Sequence, residues 1–281
     1  MNPSNALRRM LVERVRDTFN DRANGERPVQ RSMNSLLPPQ SVAWRVHGDV
    51  ISMMVGGIAA LLVEMLHPQA LGGVWDHSKV DTDMAGRLRR TARFIAVTTF
   101  GQHEEALAAI ERVRRIHAQV QGVLPDGTSY RADDPSLLAW IHVAGSLCFL
   151  DAWRRYGEPG MSAPDQDRYF AEVAVIASAL GANPVPGTRI EAEQLAHSFR
   201  PQLCADKRTM RFRQLVLDAP ANSIVEVPLQ RLLMTAAIDL MPDYAREMHG
   251  LRGVVIGQPA IRAATLGVAG TLRWAFGGAV R

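Results

Sequence analysis

The stretch VISMMVGGIAALLVEML, residues 50–66, decides the fold class. It is the strongest candidate in the chain for a membrane span. A helix that crosses a bilayer needs about 20 apolar residues in a row. Glu64 and His67 interrupt this run before that length is reached, and Gly56 and Gly57 sit in its middle. The run therefore reads as a helix buried at the centre of a globular core, with no transmembrane segment in the chain.

Outward from this helix, the chain is a series of helices with short Pro/Gly punctuation. Upstream, residues 1–36 read as a polar, partly amphipathic helix and a loop, an extension of a main domain over 37–281. PPQSVAWRVHGD (38–49) leads into the apolar run. Downstream, HPQALGGVWDHS (67–78) reads as a loop, because Pro68, Gly72 and Gly73 break any period. Helices are expected over about 81–99, 103–121, 135–156, 164–180, 206–217, 229–240 and 259–276. Gly101, Gly122 and Gly181 are stop signals, and Asp134 with Pro135 supplies an N-cap and a first-turn proline. Thr188 and Glu191 form a capping-box pair that opens another helix. GVLPDGTSYRADD (122–134) is a turn-rich loop. Alternation of the strand type is nearly absent and connections are short, so the expected fold is all-α, one multi-helix domain without a linker.

Composition narrows the function classes. Of 281 residues, 47% are hydrophobic and 21% charged, which is a globular and not a disordered balance. The net charge of +4 is mildly basic and spread out. With no zinc-ligand spacing, RNA-binding aromatic motif or basic tail, no nucleic-acid partner is expected. Cys148 and Cys204, both in apolar or mixed helical stretches without paired spacing, read as reduced thiols in a cytoplasm. The N-terminal MNPSNALRRMLVERVRDTFN has arginines but no continuous apolar stretch, so it is no secretory signal. It can dock on the domain, on a partner or, peripherally, on a membrane surface; docking on the domain is the default.

The chemistry concentrates in three helices. RLRRTARFIAVTTFG (87–101) sets Arg87, Arg89, Arg90 and Arg93 against an apolar run. Arg87, then Arg90 or Thr91, then Phe94 fall on one stripe; Arg89 and Arg93 share another that can point to water. A guanidinium stays protonated, so burying one requires an anionic or strongly polar partner. That partner is a carboxylate (Glu64, Asp76, Asp81 or Asp83) or an anionic ligand. In the helix at 103–121, Ile110, Val113, His117 and Val120 share an apolar stripe. His117 is thus a hydrogen-bonded core histidine or a metal ligand. Leu138, His142, Gly145 and Phe149 share a face of the next helix, so His142 poses the same question, and Gly145 would let a flat ligand or another helix come close. His67 and His77 lie at a helix end and in a loop; His47, His103, His197 and His249 have no informative neighbours. Trp75 and Trp140 line a pocket or, more simply, pack the core. Nucleophile elbow, phosphate loop, H-E-x-x-H pair and dinucleotide fingerprint are all missing.

The ordered blocks SVAWRVHGD (41–49), GGIAALLVEMLHPQALGGVWDHS (56–78), RLRRTARFIAVTTFG (87–101), VRRIHAQVQG (113–122) and YRADDPSLLAWIHVAG (130–145) together resemble the MpaB-type oxygenase family, which includes the rubber oxygenase, or latex-clearing protein. The resemblance covers about residues 35–250. It implies a globin-like core that binds haem b and an enzyme that uses O2 to oxidise or cleave a C=C bond in an apolar, isoprenoid-like substrate. It places the family's distal arginine–x–x–basic–threonine pattern on Arg87, Arg90 and Thr91, with Arg87 and Thr91 stabilising charge on activated oxygen and Arg90 free to pair with a haem propionate. The proximal iron ligand falls on His117, 27 residues after Arg90, with His142, 52 residues after it, as the second candidate. Where the rubber oxygenase has a lysine this chain has Arg90, which does not lose its proton and so cannot bind iron, implying a position open to oxygen. The family's glutamate base has no firm counterpart; Glu64 is the nearest upstream. Two alternatives stay open: a haem-free helical protein that binds a lipid or isoprenoid, and a non-enzymatic haem sensor or electron carrier.

Overall fold

The computed structural model describes residues 3–19, 25–219, 226–251 and 257–277. Residues 1, 2 and 20 of the N-terminal stretch discussed above lie outside them. The described residues form thirteen α-helices and one β-hairpin: α1 (Pro3–Phe19), α2 (Val42–His47), α3 (Val50–Glu64), α4 (Pro68–His77), α5 (Met84–Phe100), α6 (His103–His117), β1 (Gln121–Val123), β2 (Ser129–Arg131), α7 (Pro135–Tyr156), α8 (Ala163–Leu180), α9 (Arg189–Ser198), α10 (Lys207–Leu217), α11 (Val227–Leu240), α12 (Asp243–Met248) and α13 (Gln258–Gly277). The all-α expectation holds.

Local chemistry sets most of the boundaries. Asp49 caps α3 by accepting from the Ser52 amide, and Asp83 caps α5 by accepting from Gly86. Asp134 accepts from the amides of Ser136 and Leu137, with Pro135 at the first helical position of α7. Thr188 and Glu191 close the expected capping box on α9. Gly181, in the left-handed conformation at φ 101°, ends α8.

The centre is the crossing of α3 and α7, the most intimate helix pair in the protein. Gly56 makes it so. A Cβ there would lie 2.9 Å from the Cys148 carbonyl oxygen and 3.0 Å from the Phe149 Cα, so the two backbones touch where a side chain would have stood. Ile51, Val55, Ala59 and Leu62 from α3, Leu66 just beyond its end, and Trp140, Val143 and Leu150 from α7 join a continuous buried cluster that extends from Leu37 to Ala269. By length and composition α7 could cross a membrane, but more than half of its apolar window is buried against other helices. Helices α11 and α13 cover α3, and α1 lies on α13, so the N-terminal helix docks on the domain.

Several sequence expectations are corrected. Residues 68–77 are helical: Pro68 occupies a first-turn position, where it breaks nothing, and the chain bends by 104° between α3 and α4. Gly72 is needed for packing; a Cβ on it would meet Leu124 Cδ2 at 2.7 Å and Tyr130 Cε1 at 3.1 Å. The loop at 122–134 contains the antiparallel hairpin, turned through Gly127 at φ 89°. Helix α6 ends at His117, short of residue 121. The six-residue helices α2 and α12 carry too few residues to show a period. Cys204 lies in an extended stretch, where its amide donates to the Leu66 carbonyl.

Candidate functional site

Helices α5 and α6 pack on each other, and α5 also leans on α2, but α5 barely touches α3 or α7. At one end of α5, Thr99 meets His47 of α2, and the His47 ring lies 5.9 Å from that of Phe149 on α7. At the other end, Arg87 interacts electrostatically with Glu64 of α3. Between these two ends Leu88, Phe94 and Ile95 on α5, Met53 and Gly57 on α3, and Ile141 and Phe149 on α7 are only half-buried. These half-buried apolar residues lie on α5 and on the α3–α7 pair, and the region between the two is the candidate cleft.

The polar groups of the cleft are few. Glu64 is half-buried, and desolvation pushes its carboxyl up to about 8, with the Arg87 guanidinium acting in the opposite sense. At neutral pH it is therefore mostly a carboxylic acid. A Cβ on Gly145 would lie 3.1 Å from Glu64 Oε1, so glycine is what lets the carboxyl lie against α7. Arg87 is the inward arginine of the cationic cluster. Its Nη1 reaches Ser78 Oγ at 3.4 Å, its Nε is buried without a partner, and its charge acts on both Glu64 and His117. The two do not form an ion pair within 4 Å. Burial lowers the affinity of His117 for a proton, so it is held as a neutral imidazole, and its Nδ1 is buried and unpartnered. Its outer side borders a surface groove of about 400 Å³ between Arg114, Arg115, Asp133, Pro135 and Leu180.

His142 projects from α7 one turn before Gly145. Burial pushes its pKa down to about 4; Nδ1 lies 3.4 Å from Ser146 Oγ, and Nε2 is buried with no partner. Arg90 is largely exposed, with 62% of its side chain accessible, and pairs with Asp83 at 3.1 Å. Thr91 is also exposed, one turn beyond Arg87. Arg87 thus acts electrostatically on both Glu64 and His117, Glu64 lies against α7 one turn after His142, and Arg90 and Thr91 are exposed.

Sequence reasoning missed a group behind the cleft. His47, read as lacking informative neighbours, is half-buried with both nitrogens engaged: Nδ1 at 2.9 Å from Thr99 Oγ1 and Nε2 at 3.1 Å from Tyr169 Oη. These residues come from α2, α5 and α8, and no spacing within one helix connects them.

Residues 44–274 match the family described as "ER-bound oxygenase mpaB/B'/Rubber oxygenase, catalytic domain", and the chain belongs to this family of oxygenases. No curated protein and no solved structure matches the chain.

Proposed function

We propose that the protein is a haem b-dependent oxygenase that uses O2 to oxidise or cleave a C=C bond of an apolar, isoprenoid-like substrate. The observation that carries this reading, beside the family match, is that Arg87 and His117, which act on each other electrostatically, each bury a polar atom without a partner, Arg87 Nε and His117 Nδ1, as does His142 at Nε2 on α7. Buried polar atoms normally find partners, so these atoms leave room for a bound group. The residues fit a porphyrin better than a caged metal ion. Among the described residues no three His, Cys, Asp or Glu gather as a ligand set, whereas a haem iron needs only one neutral imidazole.

His117 would hold the iron. Haem b, when bound, supplies the activation of dioxygen. The chain's own residues do the rest. Arg87, charged at every accessible pH and held by burial, stabilises negative charge that develops on oxygen during the reaction. Glu64, protonated at neutral pH, can give a proton at its carboxyl and take one back. The α3–α7 wall supplies an apolar surface that accepts an alkene and excludes water. Arg90 is engaged with Asp83 and is assigned no role on the iron.

The purified protein is expected to show a Soret band and a haem b pyridine-haemochrome spectrum. His117→Ala should abolish haem retention, while His142→Ala should keep it. Oxygen consumption with an isoprenoid alkene then separates an oxygenase from a haem sensor. The Arg90–Asp83 pair is what a haem-free lipid carrier would show, with arginines neutralised by carboxylates. A colourless protein after haem supplementation would establish that reading and end ours.

A further inference from the structure

Helix α3 runs through the centre of the core, yet Val50, Met53, Met54, Gly57 and Glu64 on it are not buried. Their spacing of i, i+3, i+4, i+7 and i+14 puts them on one stripe. On α7, His142, Gly145 and Phe149 share a face at i, i+3 and i+7. The two stripes meet. A Cβ on Gly145 would lie 3.1 Å from Glu64 Oε1 and 3.8 Å from Phe149 Cε2, and one on Gly57 would lie 3.6 Å from Phe149 Cε1. The Phe149 ring therefore lies between the two glycines, and α3 and α7 present one wall. Glu64 and His142 make one end of it polar. Gly57, Phe149 and Met53 make the other end apolar.

Gly57 differs from its neighbours on this wall in having room. A Cβ on Gly56 would strike the α7 backbone, and one on Gly145 would press on the Glu64 carboxyl. At Gly57 the edge of Phe149 is all that a Cβ would meet within 4 Å outside its own helix, and the residue is half-buried. Glycine weakens a helix relative to alanine. Close packing accounts for the choice at Gly56 but not at Gly57. On the proposed reading His117 holds the iron and Arg87 serves the oxygen. Arg87 also acts on Glu64, so the wall that begins at Glu64 falls to the substrate.

We propose that Gly57 is a specificity-determining residue: the room its missing side chain leaves beside Phe149 takes the apolar tail of the substrate, whose reacting double bond lies at the Glu64 end. This rests on reading the protein as an oxygenase of an isoprenoid-like alkene. Gly57 and Glu64 are seven residues apart on α3, about 10 Å along the helix. A short substrate ends before Gly57, and a longer one lies across it. A side chain at position 57 therefore sets the length of chain that the wall accepts.

Methylheptenone, geranylacetone and farnesylacetone form a series that grows by one isoprenoid unit at each step. Calorimetric titration of the full chain, as purified, with these three ketones reads the length preference. The wild type should bind the longer ketones more tightly. Gly57→Leu should lower the affinity for farnesylacetone relative to methylheptenone by roughly tenfold or more, as expected when a few methylene groups lose their burial. Gly57→Ala should lower it by less. Combining Gly57→Leu with Phe149→Ala, which removes the ring edge that confines the new side chain, should restore part of the preference. Should the double variant not fold, the graded series from Gly57→Ala to Gly57→Leu carries the test. A length preference unchanged in Gly57→Leu, or an equal loss for all three ketones, overturns the assignment of Gly57. Loss of the Soret band in Gly57→Leu with thermal unfolding unchanged also overturns it, because the wall would then belong to the porphyrin. Binding of none of the ketones by the wild type is a different result: it overturns the isoprenoid-oxygenase reading, and the role of Gly57 with it.

Discussion

Glu64 and two imidazoles give the protein opposing responses to pH. The Glu64 pKa is about 8 in the folded protein against 4.5 without burial, so the folded state holds a proton that the unfolded chain releases. The resulting stabilisation is complete below pH 4.5 and is lost as pH rises toward 8. His47 and His142 are held neutral down to about pH 4 against an ordinary value of 6.5, so their contribution is present above 6.5 and is lost on acidification toward 4. Denaturant unfolding across this range should show stability falling on both sides of a mildly acidic maximum. Glu64→Gln should remove the alkaline fall, a gain on the order of 4 kcal/mol at pH 9. Parallel pH curves for wild type and variant would mean that Glu64 is not held protonated. At the same scale, Arg87→Gln should leave haem loading intact and reduce turnover by about 10²–10³-fold, the usual effect of removing a charge-stabilising donor. Unchanged turnover would move the oxyanion partner elsewhere.

At the scale of elements, the crossing of α3 over α7 sets the position of everything in the cleft. Gly56 and Gly57 are adjacent in sequence but not equivalent in space. A Cβ on Gly56 would strike the α7 backbone at 2.9 Å, whereas one on Gly57 would rest at 3.6 Å from the Phe149 ring. Gly56→Ala should therefore cost about 1–3 kcal/mol through overpacking. Gly57→Ala should be neutral or stabilising by up to about 1 kcal/mol, because alanine favours the helix. Thermal unfolding of the pair checks this, and equal effects would show that the helices cross less closely. The pairing of α4 with the hairpin follows the same logic. Gly72 weakens helix propensity locally, yet Tyr130 and Leu124 pack over it, and the Tyr130 hydroxyl donates to Asp76 at 2.8 Å.

At the scale of the whole molecule, buried carboxylates close the C-terminal helices onto the core. Asp49, the cap of α3, accepts from Arg273 of α13 at 2.7 Å, and the same guanidinium donates to the Tyr156 carbonyl at 2.6 Å. Asp239 on α11, with 4% of its side chain exposed, binds Arg155 of α7 at 2.9 Å and Arg262 of α13 at 2.8 Å. The guanidiniums of Arg155 and Arg262 are 28% and 40% exposed and can turn to water, so Asp239→Ala, which removes their charged hydrogen bonds, should cost about 1–3 kcal/mol. Because α11 and α13 cover α3, the same variant should loosen haem retention; urea unfolding and the Soret absorbance check the two effects.

Much of this protein was legible in one dimension. The apolar run at 50–66, the caps at Asp134 and Thr188 and the glycine stops are local signals, governed by the helical period and by backbone hydrogen-bond needs, and the helices they announce are present. The stripe containing His117 and the inward turn of Arg87 were readable for the same reason. What only tertiary structure decided are the relations between helices. Residues 68–77 fold as a helix because the hairpin packs on their glycines, and Glu64 is a protonated acid because α7 covers it. His47 is engaged because Thr99 of α5 and Tyr169 of α8 meet its two nitrogens. Burial and hydrogen-bond partners depend on neighbours distant in sequence, and no periodicity within one helix encodes them.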